Sequence, residues 1–179
     1  AFQSRDYSFY WAASVFSIVS HLMFFIIRGW LALELTDSAF MVTAVATAGE
    51  LPSFILSMPG GVLADRISRK AILIGAEVVT VIGLVTFALL ALFDQMAVWH
   101  LFALTSLIGI AFAIGIPARA AIVPNLVPRG DIANGVALSS IMFSGGMLVG
   151  PATAGWLLAQ FGMAVGFLVA AVISGASIA

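Results

Sequence analysis

The sequence predicts an all-α integral membrane protein with six transmembrane helices. Three observations carry this expectation. Of 179 residues, 63% are apolar and 8% are charged, whereas soluble domains carry roughly 25% charged residues. Mean hydropathy is +1.18. The apolar runs are long and unbroken, unlike the alternating segments of roughly 10 residues that build a membrane barrel. A soluble enzyme, a disordered tail and a nucleic-acid binder with a basic face are excluded. The net charge of −1 points to no partner. With no cysteine there is no disulfide framework, thiol nucleophile or thiolate metal site. No charged leader, short apolar core and cleavage site occur in that order, so the first apolar stretch is expected to be retained.

A spanning helix needs about 20 mostly apolar residues. The first such stretch, about 8–35, ends at Thr36-Asp37-Ser38. The second, about 39–64, ends at the charged run Asp65 to Lys70. The third, about 71–93, ends at Asp94-Gln95-Met96. The fourth, about 98–123, ends between Asn125 and Asp131, where Pro124, Pro128 and Gly130 act as helix breakers. The fifth, about 132–160, is separated from the sixth, about 163–179, by Phe161-Gly162, and the sixth is barely long enough to cross. Asp37 or Ser38, and Asp131, stand where N-caps belong. Arg5, Arg66, Arg69, Lys70 and Arg129 fall on one side of this arrangement, and the loops on the other side carry no Lys or Arg. The positive-inside rule then places the N-terminus in the cytoplasm of a multi-pass cell (inner) membrane protein. Trp11 near one interface and Trp30, Trp99 and Trp156 near the other fit aromatic belts.

Lipid does not drive helices together, so close packing relies on small residues. Helix two offers Gly49, Ser53, Ser57 and Gly61, helix four Thr105, Gly109 and Ala113, and helix five Gly146, Gly150 and Ala154. Pro52, Pro59, Pro117 and Pro151 are expected to kink or end their helices. The stripes serve either plain bundle packing or an adaptable bundle.

The run Gly60-Gly61-Val62-Leu63-Ala64-Asp65-Arg66-Ile67-Ser68-Arg69-Lys70 resembles the signature loop between the second and third helices of the major facilitator superfamily, with Ser68 where that pattern has Gly. Gly146-x-x-x-Gly150-Pro151-x-x-Ala154-Gly155 is similar to the helix-five motif of the family's drug/proton antiporters, with Ala154 in place of one Gly and Ala137 in place of another upstream. The stretches Gly115-Ile116-Pro117-Ala118-Arg119, Pro124 to Pro128 and Trp30 to Ser38 are similar to the macrolide-efflux and siderophore-export branch. The resemblance covers nearly the whole chain and implies one six-helix half of a two-half transporter, itself a 3+3 inverted repeat with units of about 1–93 and 94–179. It implies a second six-helix half as partner, in the same full-length protein or another chain, together with the lipid bilayer, a small-molecule substrate and protons.

Ionisable residues inside spans cost at least about 2.5 kcal/mol at mid-helix on insertion scales. Arg28, Glu50, Glu77 and Arg119 are of this kind. Counted from the turn at Asp37, Arg28 and Glu50 lie at heights differing by about 6 Å and lean toward each other. They form an ion pair bordering a transport cavity, with Glu50 taking a proton, or else Arg28 snorkels and Glu50 is a protonated packing group. Near the opposite interface lie Glu77, Arg119, Asp65, Arg66, Arg69 and Lys70. The resemblance implies a gating charge network here, a latch that closes one face in one state and breaks in the other. The alternatives are that the basic residues only set orientation and that Arg119 snorkels. Gly150-Pro151 bends helix five where it faces helix two or a second half, or is a structural kink. His21 and His100 read as packing or interfacial groups, with proton shuttling as the alternative.

Secondary active export of a drug-like or amphipathic molecule, driven by proton entry, is the function these features imply. No phosphate-binding G-x-x-x-x-G-K-[ST] loop is present, no ligand cluster points to a metal, and no cofactor is expected. An intramembrane serine protease would need Ser144 beside His21 or His100, which the predicted heights do not favour. A non-transporting scaffold or receptor on the same half would have no need of the buried charges.

Overall fold

Backbone buried in hydrocarbon must satisfy its own hydrogen bonds, and among the described residues the chain does so with helices alone. The computed structural model describes residues 5–66, 68–126 and 132–178. The elements are α1 (Arg5–Thr36), α2 (Ala39–Arg66), α3 (Arg69–Leu92), α4 (Val98–Leu126) and α5 (Ile132–Ala176). All five are long and apolar enough to cross a membrane.

The last element, a run of 45 residues, is interrupted at Gly162, where φ is 79° and ψ −179°, at the position where the sequence predicts a break. Straight, it would extend about 68 Å, twice the roughly 30 Å of a hydrocarbon core. Its contacts show that it folds back instead. In the segment 132–161, the Tyr7 hydroxyl donates to the Gly135 carbonyl (3.1 Å) and Trp11 Nε1 to the Leu138 carbonyl (3.3 Å), while Gly146 and Gly150 pack on Ile18 and Leu22. That segment runs parallel to α1. In the segment 163–176, the Ser20 hydroxyl donates to the Ala170 carbonyl (2.7 Å), and Gly166 packs on Ile27. That segment runs antiparallel to α1. Gly162 makes the reversal in a backbone region that is essentially restricted to glycine.

The turns are set by short polar residues. Asp37 adopts φ 48°, and the Ser38 hydroxyl accepts the Met41 N–H (3.4 Å), so Ser38 rather than Asp37 caps α2. Ser68 caps α3 by accepting the Ala71 N–H (3.3 Å), which gives this serine a role its glycine counterpart lacks. Asp94 ends α3 at φ 52°, and His100 Nδ1 accepts the Ala97 N–H (3.1 Å) at the start of α4.

Of the two effects expected of the prolines, a kink or an end, the second does not occur. α2 continues through Pro52 and Pro59, α4 through Pro117 and Pro124, and α5 through Pro151, and none of them ends its helix. Neighbouring helices supply the packing that lets a membrane helix tolerate the missing N–H. In consequence α4 reaches Leu126 instead of stopping at 123. Arg129 and Asp131 lie outside the described residues.

α1 packs chiefly on α5, α2 on α4, and α3 bridges α4 and α5. The shared core holds Met23, Phe24, Ile27, Leu84, Phe87, Leu101, Ile108 and Phe167. Phe87 and Phe167 stack at 4.8 Å, with Phe24 tilted against both.

Gly162→Ala is expected to destabilise the protein by about 1–3 kcal/mol through backbone strain alone, because a β-carbon there would meet nothing within 4 Å. Gly155→Ala, equally open but helical, should leave the midpoint of thermal unfolding in detergent unchanged or slightly raised. Equal midpoints for the two variants would contradict the strained reversal.

Candidate functional site

Two clusters of charge lie inside the bundle, one toward each end of α1.

Toward the α1–α2 turn, Arg28 is almost wholly buried, and its guanidinium lies 5.2 Å from the Phe24 ring centre and 4.8 Å from that of Phe25. Its Nη2 is 3.6 Å from Glu50 Oε1, and the Glu50 side chain is 59% exposed. The pair is thus an ion pair too long for a hydrogen bond, with its cation inside and its anion at the surface of the bundle. Glycine builds the niche. A β-carbon on Gly49 would collide with the Arg28 guanidinium and lie 2.9 Å from Thr105 Cγ2. One on Gly109 would collide with the Gly49 carbonyl oxygen. Bare backbone at these two positions lets α2 meet α4, and the Ser106 hydroxyl ties them by donating to the Ala48 carbonyl (3.2 Å).

Toward the α2–α3 connection, Arg119 and Glu77 pair directly. Arg119 Nη2 donates to Glu77 Oε1 (2.6 Å) and to the Ser17 hydroxyl (2.8 Å). Ser17 donates to the same Glu77 oxygen, and Ser174 donates to the other (2.8 Å). Glu77 therefore accepts from α1, α4 and α5 at once, which is how an acid survives burial. The Tyr10 hydroxyl donates to the Arg119 carbonyl (3.3 Å). The cluster borders a cavity of about 590 Å³, lined also by Tyr10, Ser14 and Lys70.

Of the expected site residues, the structure brings together Arg28 with Glu50, and Glu77 with Arg119. Both arginines are engaged in ion pairs within the bundle. Lys70 is exposed and Arg69 half-buried at the start of α3. The side chains of Asp65 and Arg66, and the surroundings of Gly61, lie outside the described residues. Gly146 and Gly150 face α1, not helix two or a second half. The reason is that the segment 132–161 runs alongside α1, so its small residues meet Ile18 and Leu22. Gly155 faces open space. His21 stacks on Phe112 at 3.8 Å, Ser144 is exposed on α5, and His100 caps α4. Sequence reading passed over Ser17, Ser174 and the neighbourhood of Thr105. Ser14, Ser17 and Ser20, three residues apart on α1, were the available signal for the first. Ser174 had none.

A family model describing transmembrane secretion effectors, a branch of the major facilitator superfamily, matches residues 1–179. The chain belongs to this family. Macrolide efflux protein A of Streptococcus pyogenes is 27% identical over 147 residues, covering 82% of this chain and 36% of that protein. The enterobactin exporter EntS of Shigella boydii is 31% identical over 137 residues, covering 76% of this chain and 33% of that protein. The chain thus spans about a third of the length of these relatives. Among solved structures, a POT family transporter in complex with 5-aminolevulinic acid superposes with a TM-score of 0.80 at 19% identity, over 98% of this chain and 37% of that one. That likeness speaks for the fold, which is the fold of this multi-pass membrane family.

Breaking a buried ion pair from one side destabilises by about 3–5 kcal/mol. Arg119→Ala and Glu77→Ala are each expected to do so, and the double variant should lose less than the sum of the two. Thermal unfolding of the four proteins in one detergent checks this. Additive losses would mean that the pair does not act as a unit.

Proposed function

We propose that this chain forms one half of a secondary active transporter that exports drug-like or amphipathic molecules by alternating access, driven by proton entry. The observation that carries the proposal is the Arg28–Glu50 pair. A membrane bundle has no structural need for a guanidinium buried between two phenylalanine rings, nor for a carboxylate displayed on its surface within a span. A carboxylate that must bind and release a proton does need water access and a nearby fixed charge. Glu50 supplies the proton site, and Arg28 is the fixed charge beside it. The efflux and export functions in the relatives' names support the direction of transport.

In this reading, the opposed segments of α5 count as two crossings, so the chain makes six. These divide into two inverted units of three. The substrate path lies between this bundle and a second six-helix half, and Glu50 faces that path. Basic residues place the N-terminus and the α2–α3 connection in the cytoplasm of a bacterial inner membrane. The Glu77–Arg119 cluster then lies toward the cytoplasmic end. There it works with Asp65, Arg66, Arg69 and Lys70 as the latch that opens and closes that face. Gly146, Gly150, Pro151 and Gly155 give α5 the small, bendable surface such movement requires.

The full-length protein reconstituted in liposomes provides the test, with an amphipathic aromatic dye as probe. An inward proton gradient should accelerate dye export, and a protonophore should abolish that acceleration. In Glu50→Gln, transport should be the same with and without the gradient. A Glu50→Gln protein that keeps the parent's full gradient dependence would remove the proton-carrier role.

A further inference from the structure

Pro52 leaves a carbonyl without its helical donor. In an α-helix the N–H of residue 52 bonds the carbonyl of residue 48, and proline has no N–H. α2 nonetheless continues through Pro52, so the Ala48 carbonyl must find a donor elsewhere or stay bare inside the bundle. The donor comes from another helix: the Ser106 hydroxyl of α4 lies 3.2 Å from that oxygen. Hydroxyls on these helices commonly bond within their own helix. Thr43 and Thr47 on α2, Thr80 and Thr86 on α3 and Thr153 on α5 each donate to the carbonyl four residues back. Ser106 instead reaches across to a carbonyl that a proline has freed.

The residues after Ala48 show what this bond holds. Gly49 carries no side chain, so the Arg28 guanidinium fits against it, and its carbonyl oxygen meets Gly109 of α4. Glu50 comes next, with Oε1 3.6 Å from Arg28 Nη2. Ser106 and Gly109, three residues apart, lie on one face of α4. That face grips the backbone of residues 48 and 49 in two ways, by a hydrogen bond from Ser106 and by close approach at Gly109. Without the hydroxyl, the turn from Ala48 to Pro52 lacks the bond at its start, and packing alone directs the backbone that carries Glu50.

We propose that Ser106 is a positioning residue of the proton site: by supplying the donor that Pro52 lacks, it fixes the turn that carries Glu50 and keeps the Glu50 carboxylate beside Arg28. It acts through the Ala48 carbonyl. Pro52 and Ser106 are therefore one unit, and the serine matters because the proline is there. This inference rests on the reading of Glu50 as the proton site and adds to that site a residue from α4.

The test reads where residue 50 sits and needs neither substrate nor proton gradient, so it fails or holds independently of the Glu50→Gln transport result. In full-length protein with other reactive thiols removed, Glu50→Cys is labelled in membranes with an anionic and with a cationic thiosulfonate of similar size. A thiol held beside the fixed cation of Arg28 favours the anionic reagent, and the ratio of the two rates reports that proximity. Ser106→Ala should lower the ratio several-fold, and Ser106→Thr, which keeps the hydroxyl, should retain it. In the Pro52→Ala background residue 52 has its own N–H, so there Ser106→Ala should leave the ratio where Pro52→Ala alone sets it. A serine that merely packs would act alike in both backgrounds. A ratio unaffected by Ser106→Ala, an equal fall with and without Pro52, or a Ser106→Thr protein that behaves like Ser106→Ala would overturn the proposal. A residue-50 thiol that shows no anionic preference, or that neither charged reagent reaches, would remove the proton site itself and this inference with it.

Discussion

A charge inside hydrocarbon must be matched inside the protein, and this requirement organises the whole bundle. Glu77 is buried on α3 and is tolerated because three other structural segments turn donors toward it: Ser17 on α1, Arg119 on α4 and Ser174 on the returning part of α5. Those helices can supply the donors only if α5 doubles back, and the reversal at Gly162 is what places Ser174 within reach of α3. A strained glycine at one end of the molecule and an ion pair toward the other are thus parts of one arrangement.

The Arg28 niche applies the same requirement differently. Its guanidinium is held by aromatic faces and by the absence of side chains at Gly49 and Gly109, so the cation stays fixed. The matching anion is on the surface. A fixed buried cation beside an accessible carboxylate forms an asymmetric pair in which only the carboxylate is free to exchange partners. That asymmetry separates the two clusters: one is closed upon itself inside the bundle, and the other presents a titratable group outward.

Much of this was legible in the sequence. Composition and unbroken apolar runs gave the class, and the helix starts came within a few residues because Ser38, Ser68 and Asp94 are turn residues whose chemistry is local. The approach of Arg28 and Glu50 followed from rise per residue and the lean of helical side chains. What could not be read depends on contacts distant in sequence. Prolines read as kinks or helix ends because their missing N–H is a local fact, whereas the packing that lets a helix continue through them is not. The small residues of α5 were legible as a packing face, but their facing α1 depends on the direction of the segment 132–161 within the bundle. Ser174 lies 97 positions from Glu77, and nothing in its neighbourhood marks it as a ligand for an acid.

The central claim is that Glu50 borders water and not acyl chains. The most direct measurement is the reactivity of Glu50→Cys, in the full-length protein in membranes, toward a charged thiosulfonate and toward a lipid-permeant maleimide. Val172→Cys, an exposed apolar position on the segment 163–176 with no charge beside it, serves as the reference that this account assigns to lipid. A water-lined position predicts reaction of the residue-50 thiol with both reagents, while the reference reacts with the permeant one alone. A residue-50 thiol that ignores the charged reagent and matches the reference would contradict the account.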